Sequence, residues 1–292
     1  MTLEDLRVFV ACCRTGNLSA VARELSCTQS AVSQHVRRLE RELGVALLER
    51  RPRGVAPTEA GRVLLEAVEH GLGHLDQARR RLGELARGEA GTVRVVTGAT
   101  TVRHFMAAGV QAFRAARPDV SLEFRTENSS RNCVRAVLAG EADLAWITIQ
   151  GERGGVEQRP VARLPWRLAV ARDHPLAGRA AIEPGDLAGL RLIRLPAQST
   201  SGAVLEAWLA AAGVDAAGPA SVADWDTAVL LAELGVGAAV VPATPGAYAA
   251  HASLRLIPIP ALPRLTVGWA ARRWSALSPL TREFADTIAA AP

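Results

Sequence analysis

Thr28-Gln29-Ser30-Ala31-Val32-Ser33-Gln34-His35-Val36-Arg37-Arg38-Leu39-Glu40-Arg41-Glu42-Leu43-Gly44 is the stretch on which the reading of this chain turns. Val32, Val36, Leu39 and Leu43 recur at intervals of four, three and four residues. At about 100° per residue, that spacing places them on one narrow stripe of a helix. Thr28 is the predicted N-cap, because its hydroxyl can accept a first-turn N–H that has no partner inside the helix. Gly44 is the predicted stop, since glycine readily takes the left-handed conformation that ends helices. A helix is therefore expected from about Gln29 to Leu43. Its other face carries Ser30, Ser33, Gln34, Arg37, Arg38 and Arg41, with Gln29 at the start. Any solvated amphipathic helix has a similar polar face, so the flanking segments must decide.

Upstream, Ser19–Leu25 reads as a short helix capped by Ser19, and Ser26-Cys27 reads as a tight turn. Short helix, turn and capped helix together form a helix-turn-helix. In that arrangement short polar side chains near the second helix's N-terminus reach base edges in the major groove. Downstream, Val45–Thr58 is too rich in Pro and Gly for a helix and suits a β-ribbon wing. Arg50, Arg51 and Arg53 lie at its tip, where phosphate or minor-groove contact is favourable. Residues 1–62 hold ten arginines against seven carboxylates.

The 292 residues suffice for two domains. Hydrophobic residues make up 49% and charged residues 22%, the profile of a globular chain rather than a disordered one. All 34 basic residues are arginine, so no single arginine carries much weight, and the net charge of +5 is compatible with DNA without requiring it. No apolar run approaches the roughly 18 residues that span a bilayer. Met1-Thr2-Leu3-Glu4-Asp5 has no basic leader region, so the expected location is the cytoplasm. Cys12, Cys13, Cys27 and Cys133 show no zinc spacing. They read as small buried hydrophobes, with a redox role for Cys133 as the alternative.

Thr58 to about Arg87 reads as one long helix, capped by Thr58. Leu65, Val68, Leu72, Leu75, Leu82 and Ala86 form a heptad-like seam that Arg79 interrupts. Residues 88–91 read as a hinge. From Thr92 onward short β-rich runs alternate with helices: Val93–Val96, Val102–Ala115, Ser121–Arg125, Arg131–Ala139 and Asp143–Thr148. This alternation predicts an α/β domain with a largely parallel sheet.

The motif Thr28–Glu40, with Leu43-Gly44-Val45, Glu49-Arg50 and Pro57-Thr58-Glu59-Ala60-Gly61, resembles the signature of the LysR-type transcription regulators over about 60 residues. Thr28-Gln29 and Leu48 depart from the usual residues but keep a hydroxyl cap and an apolar anchor. The resemblance implies an α/β multidomain chain. Its parts would be a winged helix-turn-helix (1–58), a linker and dimerisation helix (59–87), a hinge (88–91) and a two-lobed, periplasmic-binding-protein-like effector domain (92–292). Lobe one would take 92–162 and 267–292, and lobe two 163–266. The implied partners are double-stranded promoter DNA, RNA polymerase and a second copy of the chain, as homodimer or homotetramer. The implied DNA contacts are Gln29, Ser30, Ser33 and Gln34 on bases, with Thr28, Arg37, Arg38, Arg50, Arg51 and Arg53 around them.

The same resemblance implies that three polar turns converge on one cleft for a small effector. Thr100 and Thr101 follow the first strand, Asn128 and Ser129 the second, and Ser199 and Thr200 open a later helix. Thr148 ends a strand. Free N–H groups and hydroxyls at such turns suit an anion. Trp225 is a candidate stacking residue, and Arg103 and His104 are alternative anion contacts. No cofactor or metal is expected. An enzyme is the rival class, but the chain lacks a P-loop, a G-x-S-x-G elbow and paired acids beside its six histidines.

Overall fold

The computed structural model describes the chain except residues 53, 87–90, 152, 197–198, 215–217, 219, 245–247, 249–251 and 292, and the side chains of 77, 80, 81 and 84–86. Arg53, most of the expected hinge, and Ala197 and Gln198 just before Ser199 of the third polar turn thus lie outside the described residues. The chain divides into two compact units, one built on Met1–Gly83, the other on Glu84–Val137 and Glu141–Pro292.

In the first unit, α1 (Leu3–Thr15), α2 (Leu18–Glu24) and α3 (Gln29–Leu43) precede a two-stranded hairpin, β1 (Leu48–Arg51) and β2 (Gly54–Pro57), and then the long α4 (Glu59–Ala86). Thr28 caps α3 by accepting from Ala31 N at 3.2 Å, and Gly44 ends it in the left-handed region at φ 72°. The cap of α2 is Asn17 rather than Ser19: its Oδ1 accepts from the N–H groups of Ser19 and Ala20. Val32, Val36 and Leu39 are buried, whereas Leu43 is 42% exposed at the helix end and drops out of the stripe. Two small cores result, one of Val8, Cys12, Val21, Val32 and Val36, the other of Phe9, Leu39 and Leu47 with Leu64 and Leu65 of α4 against it. Glu40 accepts from the N–H groups of Leu47 and Leu48, which fixes where the wing leaves α3. Gly54, at φ 123°, lets the wing approach α1: a Cβ there would lie 2.0 Å from the Gly16 carbonyl oxygen. Val55 N donates to that same oxygen at 2.9 Å.

The second unit holds two sheets. The five-stranded sheet has the order β4-β3-β5-β11-β6, from β3 (Thr92–Thr97), β4 (Ser121–Thr126), β5 (Leu144–Thr148), β6 (Glu157–Leu164) and β11 (Leu265–Ala271). The other sheet has the order β10-β7-β9-β8, from β7 (Trp166–Ala171), β8 (Leu192–Ile193), β9 (Ala238–Pro242) and β10 (Leu254–Ile259). Neither is largely parallel. β3 runs parallel to β4 and β5, but β11 is antiparallel to both neighbours, and β7 is antiparallel to β9 and β10. In the five-stranded sheet the antiparallel strand comes from the chain's return to the first lobe near its end. The returning β11 enters that sheet between β5 and β6.

Leu164 pairs with Leu265 in the five-stranded sheet, and Trp166 with Ile259 in the other. The chain therefore changes lobes at residue 165 and within 260–264. The expected boundaries at 162 and 267 fall inside β6 and β11. The first lobe's sheet is covered by α5 (Ala107–Ala116) and α9 (Pro279–Ala290), where Phe113 meets Phe284 edge-on at 5.1 Å. Trp146 and Trp269 are register partners on β5 and β11, with rings 4.9 Å apart and T-shaped. That geometry lets the positive edge of one ring meet the negative face of the other. α8 (Trp225–Glu233) packs Ala228, Val229 and Ala232 on the second sheet, and α6 (Ser130–Leu138) and α7 (Thr200–Ala211) complete the elements around the cleft. Val102–Met106, before α5, is a π-helical turn rather than the α-helix expected there.

Candidate functional site

The polar face of α3 is open. Thr28, Gln29, Ser30, Gln34, Arg37 and Arg38 are exposed, and Ser33 is half-buried. Thr28 and Ser30 share a hydroxyl contact of 2.9 Å, which orients both at the helix start. The first N–H groups of α3 and these short polar groups lie together there, where an acceptor on a base or phosphate can meet them. Arg37 lies one turn further along. Arg38 is already engaged, its Nη1 lying 3.4 Å from Asp5 of α1. Arg50 and Arg51 are exposed on the wing, and Arg51 is held by Glu49 across the same strand.

Asp5 is fully buried. Burial pushes its carboxyl up, but hydrogen bonds from His35 and Thr2 and the charge of Arg38 outweigh that and hold it at about 2. Asp5 is not legible as an interface residue in the sequence. Its signal was an acid at the third position of a helix after Thr2, which reads only as a capping box.

In the second unit, a cleft of about 370 Å³ opens between the two lobes. Thr100, Thr101, Asn128, Ser129, Thr148, Ser199, Thr200 and Trp225 all line it. They come from loops at the C-terminal ends of β3, β4 and β5 and from the N-termini of α6, α7 and α8, where the chain naturally leaves unpaired N–H groups. Ser199 caps α7 by accepting from Gly202 N at 3.3 Å. Ser129 accepts from Asn132 N at 3.2 Å. One hydrogen-bonded chain crosses the cleft: Thr148 N donates to Ser130 Oγ at 3.1 Å, and Ser130 N to Thr200 Oγ1 at 3.3 Å. Thr200 thus supplies an oxygen to the first N–H of α6, the position a ligand oxygen would take.

Phe105, Trp146 and Trp225 give the cleft its aromatic walls. Among its described lining residues the charged ones are Glu127 and Asp224. Both are occupied: Arg125 binds Glu127 through Nε and Nη2, and Asp224 caps α8 through Thr227 N at 2.9 Å. Arg103 and His104 do not line the cleft. They stand beside it, on Asp226. Cys133 does line it, but burial pushes its thiol up to about 12. A group so reluctant to ionise is a poor redox nucleophile. Cys12 is buried as expected, while Cys27 is exposed.

A winged helix-turn-helix in one unit and a polar, helix-capped cleft between two α/β lobes in the other define a ligand-responsive transcription regulator. Two family models match. One is the LysR-family bacterial regulatory helix-turn-helix, over residues 3–62, and the other is the LysR substrate-binding domain, over residues 86–292. The chain is 34% identical over 245 residues to the transcriptional activator AmpR of Rhodobacter capsulatus, covering 83% of this chain and 80% of that one. Its fold is similar to that of CbnR, a LysR family transcriptional regulator, with a TM-score of 0.62 and 22% identity over 100% of both chains. It is also similar to the effector-binding domain of QuiR in complex with shikimate, with a TM-score of 0.60 and 19% identity over 68% of this chain and 95% of that one. The chain belongs to the LysR family of transcriptional regulators.

Proposed function

We propose that α3 and the wing read promoter DNA while a small effector bound between the lobes biases the regulator's activity. The observation that carries this reading is the cleft. Helix starts from both lobes, hydroxyls and three aromatic walls meet in one space of a size suited to a small molecule. The effector that fits is a compact ring-bearing acid. Its carboxylate takes the N–H groups at the starts of α6 and α7, which favour negative charge. Its ring lies against Trp146 and Trp225. The lining carboxylates repel it less than free ones would, because Arg125 is paired with Glu127 and the start of α8 holds Asp224. The shikimate held by the similar QuiR domain is an acid of this kind.

Gln29, Ser30, Ser33 and Gln34 are the proposed base contacts, and Thr28, Arg37, Arg38, Arg50, Arg51 and Arg53 position the chain on phosphates. Two copies paired along α4 would present two recognition helices to half-sites about one helical turn apart. A tetramer would extend the contact over further half-sites. The effector acts only through its different affinities for two lobe arrangements, and the readout is contact with RNA polymerase at the promoter. Among the described residues no helix is long and apolar enough to cross a membrane. The proposed site of action is the cytoplasm, where the promoter is. The regulator is read as having no chemistry of its own, and turnover of a bound acid would overturn that.

Footprinting on the DNA upstream of the chain's own gene tests the reading. Protection of several half-sites, shifted by shikimate or a benzoate at millimolar concentration, is the expected result. Replacing Gln29 or Ser33 by Ala is expected to cost about 1–3 kcal/mol on the specific site. Unchanged affinity in both variants sinks the docking of α3.

A further inference from the structure

The buried carboxylate of Asp5 serves more than the end of its own helix. Oδ2 accepts from Thr2 N at 2.9 Å, which completes a capping box. Oδ1 turns the other way, to α3, where it lies 2.8 Å from His35 Nδ1 and 3.4 Å from Arg38 Nη1. A cap works on the surface and gives no reason to bury a charge, which is costly unless the charge is met by partners. Here the partners beyond the cap come from the recognition helix. His35 is one-quarter exposed, and Arg38 is about half exposed at 49%. A guanidinium has five N–H donors in a rigid planar fork. With Nη1 against Asp5 and about half of the side chain exposed, the guanidinium keeps further donors for the polar face that carries Gln34 and Arg37. A carboxylate behind an arginine holds a long, otherwise mobile side chain in one orientation before any anion arrives, so less freedom is lost on binding.

We propose that Asp5 is a positioning residue for DNA recognition: through His35 it sets the rotation of α3, and through Arg38 it holds a guanidinium ready for a backbone phosphate. This rests on the reading of α3 as the DNA-reading helix. The N3 residue of the α1 capping box thus acts on DNA recognition from behind α3.

The test is a double-mutant cycle on the full-length protein, with fluorescence anisotropy on the footprinted fragment and on a scrambled fragment, over a series of salt concentrations. Arg38→Ala is expected to weaken binding about tenfold and to flatten the salt dependence by about one phosphate, near 0.9 in the log–log slope. Asp5→Asn keeps the shape and the cap acceptor. It is expected to weaken binding three- to tenfold on the footprinted fragment at a temperature where circular dichroism shows it folded. The double variant is expected to lose less than the product of the two single losses, the remainder being the part of the Asp5 effect that runs through His35. Should Asp5→Asn fail to fold, Asp5→Glu enters the same cycle, because it keeps the charge and a capping-box acceptor but changes the reach. Losses that multiply in the double variant, or an Asp5 variant that binds as well as the wild type, overturn the proposal. Arg37→Ala separates this failure from that of the parent reading. If it weakens binding while the Asp5 cycle is additive, α3 reads DNA without help from Asp5. If neither arginine matters, α3 is not the DNA-reading helix and both ideas fall.

Discussion

His104 Nε2 lies 2.6 Å from Asp226 Oδ1, across 122 residues of sequence, and joins the first lobe to the second beside the cleft. Tyr248 donates its hydroxyl to the same carboxylate oxygen at 2.7 Å, and Arg103 stands 3.7 Å from the other oxygen. The His104 side chain is only 6% exposed, so this polar link is largely shielded from water. Trp225, which precedes Asp226 in the chain, is a wall of the cleft. Burial pushes Asp226 up, but the hydrogen bonds from His104 and Tyr248 outweigh that and hold its carboxyl below the usual range.

His104→Ala or Asp226→Asn is therefore expected to loosen the lobes and to reduce the share of molecules closed around the cleft. Apparent effector affinity falls in proportion to that share, by roughly three- to tenfold. Isothermal titration with the bound acid checks this. Unchanged affinity in both variants would make the link a surface detail. The sign with pH follows from the lowered carboxyl. The link's contribution is full above the ordinary carboxylate range and is lost as pH falls through the lowered value.

Thr200→Val keeps the shape of the side chain and removes the hydroxyl that meets Ser130 N. With that N–H left for the ligand alone, the unliganded cleft loses a hydrogen bond worth about 0.5–1.5 kcal/mol. The expected outcome is a lower melting temperature without effector and a larger rise when the acid is added. Differential scanning fluorimetry with and without ligand reads both. An equal rise in the variant and the wild type would mean that the acid does not use the start of α6.

Leu75 and Leu82 of α4 are 51% and 66% exposed. Covering a leucine stabilises by about 1.5–3 kcal/mol, so a seam left bare on one chain suits a second copy. Leu75→Arg with Leu82→Arg is expected to shift the wild-type oligomer, dimer or tetramer, toward smaller species at micromolar concentration in sedimentation velocity. An unchanged oligomer in this variant would place the pairing elsewhere. The Ala86 side chain at the end of the expected seam lies outside the described residues.

Asp5 makes acid stability a specific prediction. Its carboxyl sits at about 2 in the fold, against 3.8 for a free aspartate. A lowered value contributes stability that is full above the unfolded value and is lost as pH falls through the folded one, so the window runs from about pH 4 down to about pH 2. The contribution at neutral pH is roughly 2 kcal/mol. Asp5→Asn is expected to melt lower than the wild type at pH 7, with the gap closing through that window. A gap that is constant with pH would mean that Asp5 acts through shape rather than charge.

The α3 helix was legible almost residue by residue, and so were the turns of the cleft. Thr28, the 3.6-residue stripe and Gly44 are local signals, since a helix closes its bonds between residues four apart. The hydroxyls at the strand-to-helix turns are local for the same reason. All eight residues read from those turns, the strand end and Trp225 line one space. Asn17 displaced Ser19 as a cap because capping depends on which side chain faces the free N–H groups, and the two lie two residues apart.

Sequence by itself determined the family, α3 with its cap and stop, the wing and the polar turns, because each is written in spacing over a few residues. Tertiary structure alone decided the rest. It inserted β11 antiparallel between β5 and β6, left Leu43 in solvent, turned Asp5 toward His35 and Arg38, and brought His104 to Asp226. Those relationships join residues 30 to 122 positions apart or depend on which surface an element meets. No periodicity in the chain encodes them. They follow from the packing of whole elements, which places two side chains within bonding distance only once the sheets and helices around them are formed.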